Sequence, residues 1–294
     1  MPITERRIHR KSIARGRRRR RWVGRIVLPV IILMVGSAGY YAYSTLMTNL
    51  GEPSCRATAS GRSVSFSPEQ TANASTITAI AFKRNLPARA AAVASATAIV
   101  ESKLRNLRFG DRDSLGLFQQ RPSQGWGTAE QILDPVYATN KFYDALTKVK
   151  GYEGMAITKV AQEVQRSGFP QAYADHEEEG RILASTLSGH SPGGIGCRLD
   201  AATVSTPAAT IAARLTKELG VPATVKGGVV RVTGPSARQA WAAGSWAVAQ
   251  AEADGITSVT VGDRTWTRAR GKRALSWHPA VKPIAPTAVT ITGH

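Results

Sequence analysis

Residues 99–127 read IVESKLRNLRFGDRDSLGLFQQRPSQGWG, and they hold the side chains best suited to chemistry. Glu101 closes an Ala/Val/Ile-rich run and is the only acid between Glu69 and Asp111. Desolvation in such surroundings raises a carboxyl pKa and favours the neutral acid. A protonated carboxylic acid beside a partly apolar cleft is what glycosidic bond cleavage needs to protonate the leaving oxygen. Taken singly, a Glu near a helix end is usually solvated, so its neighbours decide the matter. Gly116-Leu117-Phe118-Gln119 follows, with Gln119 18 positions after Glu101.

Other chemistry is less well supported. Asp175-His176-Glu177-Glu178-Glu179 has metal-binding residue types, but consecutive residues on a helix point in different directions. A solvated helix face is the better reading, and no metal or organic cofactor is implied. His190, His278 and His294 lack partners at ligand spacing. Nucleophile-elbow, phosphate-loop and dinucleotide fingerprints are absent.

The elements that must position Glu101 are mostly helical. Asn85-Leu86-Pro87 is a helix start, and Val93, Val100, Leu104 and Leu107 then recur at helical spacing. Pro135 starts another helix, with Val136, Phe142, Leu146 and Val149 on one side. Residues 158–166 and 171–187 give two more. Residues 191–204 are a Gly/Pro-containing linker. Residues 205–278 then read α-β-β-α-β-β, with Gly227-Gly228 and Gly262-Asp263 as hairpin loops, which makes an α+β module. Trp241, Trp246, Trp266 and Trp277 are core residues of that module, or else a surface on which a glycan or an envelope protein partner stacks. Residues 279–294 are proline-spaced and are expected to be a disordered tail.

The chain has 294 residues and a formal charge of +19. Eleven Lys/Arg against one acid lie in residues 1–25. Residues 26–47 follow with no charge, flanked by Trp22 and by Tyr40, Tyr41 and Tyr43. This predicts one transmembrane helix that contacts membrane lipid, with a basic cytoplasmic segment (1–25) and the rest extracellular. A cleaved signal peptide and a nucleic-acid-binding arm are the competing readings. Adjacency to an apolar run disfavours nucleic acid, and a single span excludes a transport path. Residues 48–67, small and polar, read as a stalk. Two cysteines exclude a cysteine-only zinc site. Cys55 and Cys197 bracket the helical domain, where a bridge would tie its ends and contribute up to about 5 kcal/mol. Free or intermolecular thiols are the alternative.

Glu101-Ser102 followed at this spacing by Gly116-Leu117-Phe118-Gln119 resembles the soluble lytic transglycosylase and goose-type lysozyme superfamily. Its signature is Glu-Ser, a loop, then Gly-Leu-Met-Gln. The string DSLGLFQQRPSQGWG, residues 113–127, is also similar to membrane-anchored bacterial envelope proteins with a lysozyme-like domain. The resemblance covers residues 68–190 and implies a mainly α chain: a lysozyme-like domain after the transmembrane helix, then the small α+β module. It implies peptidoglycan as substrate and Glu101 as general acid, then base. Gln119 would line the sugar subsites, or else hold its loop against the helix. Ser102 would support that loop beside the substrate. Ser114 stands where animal-type lysozymes carry a second carboxylate, which favours a transglycosylase, while Asp111 and Asp113 keep hydrolysis open. The family's Ala-Tyr-Asn-x-Gly motif is not present. Its nearest counterpart is residues 164–173 (VQRSGFPQAY), where Tyr173 would take the family tyrosine's place at the substrate. A non-catalytic glycan binder or scaffold is the alternative function.

Overall fold

The structure is a computed structural model that describes residues 33–37, 39–40, 51–165 and 170–294. The chain divides into two compact units, Met1–Gly51 and Glu52–His294. In the first, residues 33–37 and 39–40 are helical and exposed. The basic segment 1–25 and most of the expected span 26–47 lie outside the described residues. Among those described, no helix is long and apolar enough to cross a membrane. The single-pass arrangement, with its cytoplasmic N-terminus and extracellular domains, is corrected on this finding. An uncharged run has the composition of a span, but a span also requires a continuous helix of about 20 residues.

The second unit begins with strands. β1 (Ser54–Ala59) and β2 (Arg62–Phe66) form a hairpin, and β3 (Ile195–Arg198) pairs antiparallel with β1 on its other side. Cys55 and Cys197 face each other in that register and are disulfide-bonded. The described part of the expected stalk is therefore mostly a hairpin, and part of the expected linker is a strand. In β1 the apolar alternation is carried by Cys55, Ala57 and Ala59, residues too small to mark a strand in sequence.

Six α-helices follow: α1 (Pro68–Lys83), α2 (Ala88–Ser102), α3 (Ala129–Ile132), α4 (Pro135–Leu146), α5 (Ile157–Gln165) and α6 (Glu177–Leu187). Ser67 and Gln70 form a capping box at the start of α1, and Asp134 caps α4 through the Val136 N–H at 2.9 Å. α2 is the central helix, and residues 90–99 are all buried. Its alanines let neighbours approach closely. A Cβ at Gly180 of α6 would lie 2.5 Å from the Ala92 carbonyl oxygen, so this crossing needs glycine. Because α2 is packed on all sides, the position of its C-terminal end, and of Glu101, is set by the core.

The C-terminal part carries α7 (Ala208–Leu219), β4 (Ala223–Lys226), β5 (Val229–Thr233), α8 (Ala237–Ala249), α9 (Ala251–Asp254), β6 (Ile256–Val261), β7 (Arg264–Thr267), β8 (His278–Pro279) and β9 (Ala288–Gly293). Both expected glycine hairpins form, with Gly227, Gly228 and Gly262 at positive φ. The sheet order is β4-β5-β9-β6-β7-β8, so β9 is an interior strand. The expected tail is thus structured. Val289 and Ile291 enter the core from an Ala-Val-Thr-Ile-Thr alternation that the preceding prolines obscure.

With about 47% helix, 19% strand and two antiparallel sheets, the chain is mixed rather than mainly α. The helical part and the C-terminal module also belong to one unit. Glu218 of α7 accepts from Thr76 Oγ1 of α1 (3.0 Å) and from Trp246 Nε1 of α8 (2.8 Å). Trp266 and Trp277 donate to the carbonyls of Ala274 and Ile195. Trp246, Trp266 and Trp277 are buried and so are not available as a stacking surface.

Candidate active site

Glu101 occupies the last turn of α2 and is half-buried. The chain leaves that helix through two consecutive left-handed residues, Lys103 (φ 54°) and Leu104 (φ 58°), neither of them glycine. Such residues are strained and persist only where surroundings hold them. Here Gln70 Nε2 donates to the Lys103 carbonyl and Asn73 Nδ2 to the Leu104 carbonyl, each at 2.8 Å. Leu104 is fully buried. α1 thereby fixes the turn directly after Glu101.

Ser102 is buried and donates to the carbonyls of Ala98 (3.0 Å) and Leu117 (2.7 Å). It joins the helix end to the Gly116–Gln119 loop from the inside. Gly116 has φ 77°, and a Cβ there would meet the Ile132 carbonyl oxygen at 2.7 Å. Leu117 and Phe118 are buried, and Phe118 stacks on Phe142 of α4 with centroids 4.5 Å apart. Phe118 is thus used in the core.

Tyr173 lies 72 positions from Glu101 and reaches it. Its hydroxyl donates to Glu101 Oε1 at 2.6 Å. The residue is fully buried, and its hydroxyl orients the carboxyl. It belongs to a short 3₁₀ segment, Pro170–His176, while residues 166–169 of the VQRSGFPQAY stretch lie outside the described residues. Gln165, at the end of α5, also acts on the Glu101 carboxyl by hydrogen bonding. Its Nε2 donates to the Phe118 carbonyl at 2.7 Å. It lies within the 164–173 stretch, where sequence drew attention to Tyr173 and not to Gln165. Burial pushes the Glu101 carboxyl above its ordinary range, and the hydrogen bonds from Tyr173 and Gln165 oppose that rise without cancelling it. Among the described residues Glu101 makes no ion pair.

The other candidates are placed elsewhere. Gln119 Nε2 donates to the carbonyls of Gly116 (3.2 Å) and Phe109 (3.4 Å), so its amide braces its own loop. Ser114 is buried, and its N–H donates to the Asp111 carbonyl. Asp113 accepts from Arg121 Nε (2.7 Å), from Ser123 N–H (2.8 Å) and from Ser123 Oγ (3.0 Å). Arg121, first, and Ser123 hold its carboxyl well below the usual carboxylate range. The Asp111 side chain is 93% exposed and faces Arg112 at 4.0 Å. Neither aspartate shares the hydrogen bonds around Glu101. Among the described residues no group of three or more His, Cys, Asp or Glu could hold a metal ion.

One cleft adjoins this end of α2, and a second is reached through Gln165. Ile99, Val100 and Lys103 help line one of about 420 Å³, together with Phe66 and His176. Gln165 is a wall of a larger one of about 980 Å³. No protein-family model and no curated protein sequence matches this chain.

Proposed function

We propose that this chain cleaves the glycan strand of peptidoglycan by lytic transglycosylation, with Glu101 as the acid and then the base. The observation that carries this reading is a half-buried Glu101 carboxyl that accepts from the Tyr173 hydroxyl at 2.6 Å, that burial pushes above its ordinary range, and whose neighbour Gln165 lines the larger cleft. The Glu-Ser and Gly-Leu-Phe-Gln resemblance supplies the substrate class.

Glu101 would protonate the oxygen linking N-acetylmuramic acid to N-acetylglucosamine. The bond breaks with oxocarbenium character at the muramic C1. The muramic 6-hydroxyl then attacks C1 and passes its proton to the Glu101 carboxylate. This closes a 1,6-anhydro ring and restores the acid. No water enters, so no second carboxylate is required. The engagement of Asp113 with Arg121 and the exposure of Asp111 support that route over hydrolysis.

The test incubates the full-length protein and the Glu101→Gln variant with purified peptidoglycan and reads released fragments by mass spectrometry. The expected result is anhydro-muropeptides from the wild type, reduced about 10²–10⁴-fold in the variant. Reducing ends lost in the same way would establish a muramidase instead. Absence of fragments, with glycan co-sedimenting with both proteins, would establish a binder that does not cut.

A further inference from the structure

The larger cleft carries a charge arrangement that proton transfer at Glu101 does not need. Lys141 and Lys148 are seven positions apart, two helical turns, and share one side of α4 and its C-terminal turn. Lys150 follows in the next turn, and all three line the cleft. Asp144 also lines the cleft and is spaced to neutralise Lys141 or Lys148. It is instead engaged by Arg84 Nη2, at 2.9 Å from Oδ1. Glu163 is the remaining carboxylate in the lining. Among the described residues none of the three lysines has an ion-pair partner. Lys141 lies over the Tyr137 ring, 5.5 Å from its centroid, which keeps its ammonium at the wall. Trp126, partly buried, and Gln165 complete a lining that offers a ring face, an amide and three unpaired cations.

We infer that the Lys141–Lys148–Lys150 wall reads carboxylates carried by the glycan, so that the cleft selects an acidic strand over a neutral one of the same backbone. The inference rests on the reading of this cleft as a glycan site. The acid at Glu101 acts on the bridging oxygen. The lysines act on groups that hang from the strand, and so they set affinity and not the chemical step. Each exposed pair contributes little alone, but three together give about a tenfold preference at low salt. That preference fades as ionic strength rises.

The experiment uses the full-length Glu101→Gln protein and an oligomer of alternating N-acetylglucosamine and N-acetylmuramic acid, with its carboxylates free or amidated. Binding is measured by calorimetry at low and high salt. Cleavage of both oligomers by the wild type is measured separately. The expected result is about tenfold tighter binding of the free acid. High salt and the combined Lys141→Gln, Lys148→Gln and Lys150→Gln substitutions should each abolish the difference, while the variant keeps its affinity for the amidated oligomer. Equal binding of the two oligomers, or a preference that survives the lysine substitutions, would overturn the inference. Binding with the expected preference but no cleavage would uphold the lysine wall and overturn the proposed chemistry. Cleavage without preference would do the reverse.

Discussion

Two carboxyls, the half-buried Glu101 and the buried Asp254, both lie above their ordinary pKa because burial penalises their charge. Their partners differ. Asp254 is paired with Arg214 at 2.8 Å. The same guanidinium donates to Gln250 Oε1 (2.7 Å), stands 3.5 Å from Glu218 and lies over the Trp246 ring. This cluster holds α1, α7 and α8 together. Glu101 has a tyrosine hydroxyl and an amide, with no cation among the described residues. A guanidinium stabilises the charged form and makes a carboxylate a structural anchor. Neutral donors orient a carboxyl while burial keeps its proton available. Burial by itself therefore does not distinguish these two carboxyls; the kind of partner does.

The largest expected effect breaks the structural member of the pair. Arg214→Met leaves Asp254 and Glu218 buried without their cation and should cost about 3–5 kcal/mol in chemical denaturation. A loss below about 1 kcal/mol would mean that Arg214 does not anchor these carboxyls, and the contrast with Glu101 would collapse. Tyr173→Phe sharpens the other side. Removing a hydrogen bond that favours the ionised form raises the Glu101 pKa further. The alkaline limb of the cleavage profile should then move to higher pH, with a rate loss of about tenfold or less. A limb that stays in place or moves down would show that Tyr173 does not act on this carboxyl.

The smallest effect is on stability. Folding raises the Glu101 pKa above 4.5, so between that value and the folded one the folded state binds more protons than the unfolded. The stability contributed by Glu101 is thus present below 4.5 and lost as pH rises through the folded value. Glu101→Gln cannot ionise. Its Tm should rise relative to wild type as pH increases through that window, and the two proteins should respond in parallel below it. A gap that widens toward acid would reverse the assigned sign.

Much of the scaffold is legible where local chemistry dictates it. Pro135 after Asp134 starts a helix, and Gly227-Gly228 and Gly262-Asp263 close hairpins, because backbone restrictions act within two or three residues. β1 and β9 are harder to read, since one alternates through small residues and the other follows a proline-spaced run. At the site, Glu101 and Gly116 stand out, the one as a lone acid in an apolar helix and the other as part of a spaced motif. Tyr173 is visible only through a partial resemblance, and Gln165 only as an unremarked member of the same stretch, because their contacts form across the fold. The loss of Asp113 to Arg121 and Ser123 is likewise a loop contact that no periodicity encodes.

The most direct test of the central claim is the titration of Glu101 itself. Nuclear magnetic resonance of isotope-labelled glutamate carboxyl carbons, with the Glu101 signal assigned by its absence from Glu101→Gln, would follow that group across pH. The expected result is a midpoint above 4.5, moved higher still in Tyr173→Phe. A midpoint at or below 4.5 would mean that Glu101 is an ordinary carboxylate at neutral pH and is no general acid.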